Sequence, residues 1–135
     1  MLFRSAGPGA ASAEQAVRRF TVAYINWSAD TVARDMLALA ATSVGQARSA
    51  LQLAAAQTAG DYELKRGGIA NSGVVEAVAP LPGSRHRYVV VTRESTTATA
   101  TTTYQGLRAQ WHVTIATVTA LPGAGWVLSG WQPQS

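Results

Sequence analysis

The stretch Ser72 to Thr97, SGVVEAVAPLPGSRHRYVVVTRESTT, reads as two β-strands around a Pro-Gly turn. Ser72–Pro80 is the first strand, Leu81-Pro82-Gly83 the turn and Arg85–Thr97 the second strand, built around the apolar run Val89-Val90-Val91. Val and Thr suit a pleated, half-buried surface, and so short a connection favours antiparallel neighbours. The pattern continues downstream. Thr99–Thr103 extends the second strand or forms a hairpin tip, and Leu107–Thr119 is the third strand. Its alternation sets Trp111, Val113 and Ile115 on one face and Gln110, His112 and Thr114 on the other, so the apolar set is expected to meet Phe20, Tyr24 and Leu51 in the core. A turn over Leu121–Gly125 leads to the closing strand, Trp126–Trp131. Trp126 and Trp131 differ in parity, which in a regular strand sends them to opposite faces. Both are therefore candidate contact-surface residues, one of them on the outer face of the sheet.

Before residue 60 the period is helical. Ser12 followed by Gln15 has capping-box spacing, and Ala16, Val17, Phe20, Ala23, Tyr24 and Trp27 then recur at intervals of three and four. Ser28 is placed to cap a second helix over Thr31–Ala41, with Val32, Met36, Leu39 and Ala40 on one stripe. Ser43 is placed to cap a third helix, with Val44, Ala47, Leu51, Ala54 and Ala55 inward, ended by Gly60. Asp61–Asn71, with Gly67-Gly68, is the bridge to the strands. Helices followed by strands predict an α+β domain: a three-helix segment packed on a four-stranded antiparallel sheet, cone-like in outline.

The 135 residues suffice for one core, and the domain is assigned to 12–134. Charged residues make up only 13%, below the roughly 25% of ordinary globular proteins, so Thr, Ser, Gln and Ala must cover much of the surface. The net charge is +4, but the basic residues, all Arg except Lys65, are scattered, and no basic run or aromatic-flanked signature accompanies them. Direct nucleic-acid binding is not expected. Cysteine is absent, which excludes disulfides and thiolate metal sites. Residues 1–11 read as a flexible Gly/Pro/Ala lead-in. Leu2-Phe3-Arg4-Ser5 is what one frame of a common sequencing-adapter end encodes, so the start is expected to be truncated or artefactual. A membrane-spanning helix is expected before Ala10 in the intact gene.

No self-sufficient catalytic motif is present. His86, between Arg85 and Arg87 beside a turn, reads as a solvated edge residue, and His112 as a hydrogen-bonded sheet residue or a pocket residue. The seven acids form no cluster with His at metal-ligand spacing, so neither a metal nor a cofactor is expected. There is no Gly-x-Ser-x-Gly, and the glycine pairs are turns rather than phosphate loops. One catalytic reading stays open, since α+β domains of this order can hold a carboxylate base between helices and sheet. The candidate pocket residues are then Tyr24, Asp35, Glu94 and His112, against a reading of Tyr24 as a packing aromatic and Asp35 as an exposed acid.

The element order resembles the nuclear-transport-factor-2-like, or cystatin-like, fold. Three segments carry a narrower resemblance: Phe20–Asp35 (FTVAYINWSADTVARD), Tyr88–Thr97 (YVVVTRESTT) and Gly125–Gln134 (GWVLSGWQPQ). They resemble the extracytoplasmic domains of actinobacterial VirB-type scaffold proteins of type IV secretion and conjugative-element transfer. That resemblance implies a non-enzymatic assembly domain, anchored in the membrane by a preceding helix and working outside it. It implies contacts with other transfer-machine proteins or with further copies of itself. The alternative is a small-molecule-binding or isomerase/cyclase-like pocket domain of the same fold.

Overall fold

The computed structural model describes residues 9–100 and 107–134. Ser12 opens helix α1 (Ala13–Ile25), its Oγ accepting a hydrogen bond from the Gln15 backbone N–H at 3.1 Å. The Gln15 side chain reaches back and accepts from the Ala11 N–H at 3.0 Å, so two otherwise unpaired donors are satisfied. A two-residue strand β1 (Trp27–Ser28) follows, then helices α2 (Val32–Ala41) and α3 (Gly45–Ala59). Neither Ser28 nor Ser43 caps them as expected. The cap positions fall on Thr31 and Val44, without side-chain cap bonds, and the Ser43 hydroxyl instead donates back to the Leu39 carbonyl at 2.8 Å. The bridge contains a short helix α4 (Tyr62–Gly67), opened by Asp61, whose carboxylate accepts from the Leu64 N–H.

The sheet continues with β2 (Ile69–Pro80), β3 (Arg87–Ala98), β4 (Gln110–Leu121) and β5 (Gly125–Gln134), all antiparallel in the order β1-β2-β3-β4-β5. The fifth strand beyond the expected four is β1, which pairs Trp27 with Asn71 and Ser28 with Ala70. Gly83 and Gly123 lie in the two tight turns at φ +82° and +73°, where a side chain would be strained. Most of the Thr99–Thr103 segment lies outside the described residues.

Helices α1, α2 and α3 cover one face of the sheet. Between them lie Val17, Phe20, Met36 and Leu51 from the helices and Val90, Val118, Leu128 and Trp131 from the strands. The Trp131 ring sits 4.9 Å from Phe20 and 5.1 Å from Tyr24, centroid to centroid. Burial of such side chains stabilises by about 1.5–3 kcal/mol each.

The structure reverses the register expected for β4. Thr114, Ala116 and Val118 face the helices, while Trp111 and Val113 are 62% and 38% exposed and Ile115 is half-buried on the opposite face. The reason is volume. Ala116 stands between Tyr88 on β3 and Trp131 on β5. These large rings and Phe20 fill the interior, leaving β4 room for an alanine where a Trp or Ile was expected.

The two tryptophans of β5 also depart from expectation. A bulge pairs Thr117 with Gly130 but Val118 with Leu128, leaving Ser129 as an extra residue. Parity is reset across it, so Trp126 and Trp131 both pack on the core. Trp131 is buried and cannot serve as a contact surface, while Trp126 is half-buried.

The lead-in is not free up to residue 11. The Ala10 N–H donates to the Trp126 carbonyl and the Trp126 N–H to the Ala10 carbonyl, each at 2.9 Å, while the Gly9 N–H donates to Ala124. Ala10 is buried. Further along the same edge of β5, the Val44 N–H donates to the Leu128 carbonyl at 3.0 Å, and the Gln46 side-chain oxygen accepts from the Trp131 N–H. No helix among the described residues is long and apolar enough to cross a membrane.

Candidate functional site

At one end of the helix–sheet interface a cleft of about 370 Å³ opens to solvent. Its helical wall is Tyr24 from α1, Val32 and Met36 from α2, and Ala54 and Thr58 from α3, with Trp27 of β1 beside them. The sheet contributes Asn71, Glu94, Thr96 and His112 from β2, β3 and β4. One wall is thus mainly apolar and aromatic, the other polar, as in many small-molecule sites.

Glu94 is the centre of the polar wall. Asn71 Nδ2 donates to its Oε1 at 2.9 Å and Thr92 Oγ1 to its Oε2 at 2.6 Å. Asn71 is held in turn: its Nδ2 also donates to the Ile25 carbonyl at 2.8 Å, and its Oδ1 accepts from Thr96 Oγ1 at 3.0 Å. The backbone beneath is equally tight. A Cβ added to Gly73 would stand 2.8 Å from the Arg93 carbonyl oxygen and 2.8 Å from Glu94 Cγ. Asn26 braces that point, its Oδ1 accepting from the Gly73 N–H and its Nδ2 donating to the Gly73 carbonyl.

Three of the four candidate pocket residues, Tyr24, Glu94 and His112, line this one cleft. Asp35 does not. It sits on α2 between Val32 and Met36, one helical position away from the face those two present. No hydrogen bond joins Glu94 to His112, and His112 is exposed. Burial pushes the Tyr24 phenol above its ordinary value of 10.0, the Trp131 indole partly offsets this, and the Glu94 charge adds to the rise. The Trp131 Nε1–H meets no acceptor in hydrogen-bonding geometry, so its effect on Tyr24 is that of a nearby dipole. Sequence reasoning missed Asn71, Thr92 and Thr96. The available signal was parity, since Thr92, Glu94 and Thr96 alternate on one face of β3. Among the described residues no group of three or more His, Cys, Asp or Glu is placed to hold a metal ion.

A second cavity of about 250 Å³, between α1, α2 and β5, brings Arg19 and Thr42 beside Phe20, Leu39, Trp126 and Leu128, without a comparable polar network. The outer face of the sheet carries an apolar patch where β2, β3 and β4 meet. Its cross-strand rows are Val74–Arg93–Trp111, Ala77–Val91–Val113 and Ala79–Val89–Ile115. Arg93 pairs with Glu76 at 3.0 Å and lies over the Trp111 ring at 5.7 Å, so the charges within this patch neutralise each other.

No family model matches the chain, and no curated protein matches it. Among solved structures it is similar to the VirB8 protein of Agrobacterium tumefaciens, with a TM-score of 0.59 and 14% identity over 90% of this chain and 88% of that one. With its helices on one face of an antiparallel sheet and its cleft between them, the chain has the VirB8-like form of the nuclear-transport-factor-2-like fold.

Proposed function

We propose that this chain is a non-enzymatic assembly domain of a type IV secretion-like, conjugative transfer machine, working through protein–protein contacts on the outer face of its sheet. The observation that carries the reading is the Trp111 patch. A tryptophan 62% exposed, flanked by exposed Val74 and Val113 and by a self-neutralised ion pair, has the composition of an interface centre. Similarity to VirB8 in fold and the resemblance of the three sequence segments support the same machine. The partners are other transfer-machine proteins or further copies of this chain. The domain is extracytoplasmic, held at the membrane by an anchor in the intact protein.

Trp111→Ala is expected to impair conjugative transfer and partner pull-down while leaving the melting temperature nearly unchanged. Normal transfer by a stably folded Trp111→Ala protein overturns the reading. The Glu94 cleft favours the second reading, a pocket domain of the same fold. In that cleft Asp35 is not among the lining residues, and no hydrogen bond joins Glu94 to His112.

A further inference from the structure

We propose that the cleft around Glu94 is a binding site for an organic cation, an ammonium or guanidinium group carried on an apolar or aromatic body. This is independent of the scaffold reading and rests on three observations. First, Glu94 is half-buried and, among the described residues, forms no ion pair; the three ion pairs present all lie elsewhere. A carboxylate withdrawn from water without a cation is costly unless hydrogen bonds compensate. Here each oxygen receives one donor, from Asn71 and from Thr92, and each keeps a lone pair for another. The carboxylate is therefore fixed in orientation but not neutralised.

Second, the opposite wall suits a cation. Tyr24 and Trp27 line the same cleft, and aromatic faces attract ammonium and guanidinium groups at short range. With the Tyr24 phenol pushed upward by burial and by Glu94, this wall carries no charge of its own at neutral pH. Third, the remaining lining, Val32, Met36 and Ala54, gives an apolar body something to displace water from. The volume of about 370 Å³ lies in the range of small-ligand sites. An anionic ligand would meet Glu94 with like charge, and a wholly apolar one would bury the carboxylate without a partner.

The chemistry is shared by two sources: a free aryl- or alkylamine, and an Arg or Lys side chain of a peptide. Calorimetric titration of the purified chain distinguishes them, with phenethylamine, its uncharged analogue phenethyl alcohol, and acetyl-phenylalanyl-arginine amide as probes. The amine is expected to bind about tenfold or more tighter than the alcohol, the size of one charge-assisted hydrogen bond. Glu94→Gln, which keeps an acceptor for Asn71, is expected to remove that preference. A peptide bound tighter than the amine supports the proposal and assigns the cation to a polypeptide; the reverse order supports it and assigns a free amine. Equal binding of amine and alcohol, no binding of any probe, or an undiminished preference in a folded Glu94→Gln protein overturns it. Should that variant not fold, the unaltered chain decides: the Trp27 indole N–H resonance must move with the amine and not with the alcohol.

Discussion

Tyr24 connects the core to the cleft: its ring packs on Phe20 and Trp131, and the residue lines the same cleft as Glu94. Because its folded value lies above the unfolded one, the native state holds the phenolic proton more tightly, and stability is fully present below pH 10. It is lost as pH rises through the folded value. Melting temperature should therefore fall as pH rises above 10, and Tyr24→Phe should fall less over that range. An identical fall in both proteins would mean that Tyr24 does not carry the effect. The three cleft residues legible in the sequence, Tyr24, Glu94 and His112, were legible as polar groups on elements that had to border the helix–sheet gap. Asp35 failed because a single helical step separates a residue facing the cleft from one beside it, and helical period alone does not fix that rotation.

Elements whose signals are local were readable. Ser12 and Gln15 lie three residues apart and cap α1 between themselves, and Gly83 and Gly123 mark turns by their own φ requirement. Ser12→Ala is expected to cost about 1 kcal/mol, measured by denaturant titration. Features decided by distant partners were not readable. The two residues of β1 exist as a strand only because Ala70 and Asn71 pair with them. Alternation in β4 pointed to Trp111, Val113 and Ile115 as the inward set, and the rings of Tyr88 and Trp131 on either side of Ala116 overrode it. The bulge at Ser129 leaves no mark in a sequence read by parity. Deleting Ser129 leaves Trp126 and Trp131 four positions apart, so strict alternation by itself keeps both on the core face. A melting temperature close to that of the unaltered chain is expected, and a large drop would mean that Ser129 serves the core beyond resetting parity.

For the molecule as a whole, the two faces of the sheet should respond in opposite ways. Leu51 is almost fully buried among the helices and strands, so Leu51→Ala should cost about 2–5 kcal/mol through lost contacts and a residual cavity. The pair Trp111→Ala and Val113→Thr, on the other face, should change stability by only about 0.5 kcal/mol each way. Denaturant titration of both proteins checks the contrast. A large loss from the outer-face pair would mean that Trp111 serves the fold rather than a partner.

A sheet with an open side can be lengthened by any extended chain that finds a ladder of free amides and carbonyls. Along β5 that ladder is already occupied by Ala10, Val44 and the Gln46 side chain. At the other side, β1 and the Asn26 amide take the positions from Ala70 to Gly73. What remains of β2 is interrupted by an irregularity between Val75 and Ala77 and ends at Pro80, which has no N–H to offer. Ribbon-like growth, strand added to strand, is thus blocked on one side and crippled on the other. On the proposed reading, copies or partners meet this protein broadside, through side chains rather than backbone, and specificity then belongs to residues such as Trp111 that substitution can change without unravelling the sheet.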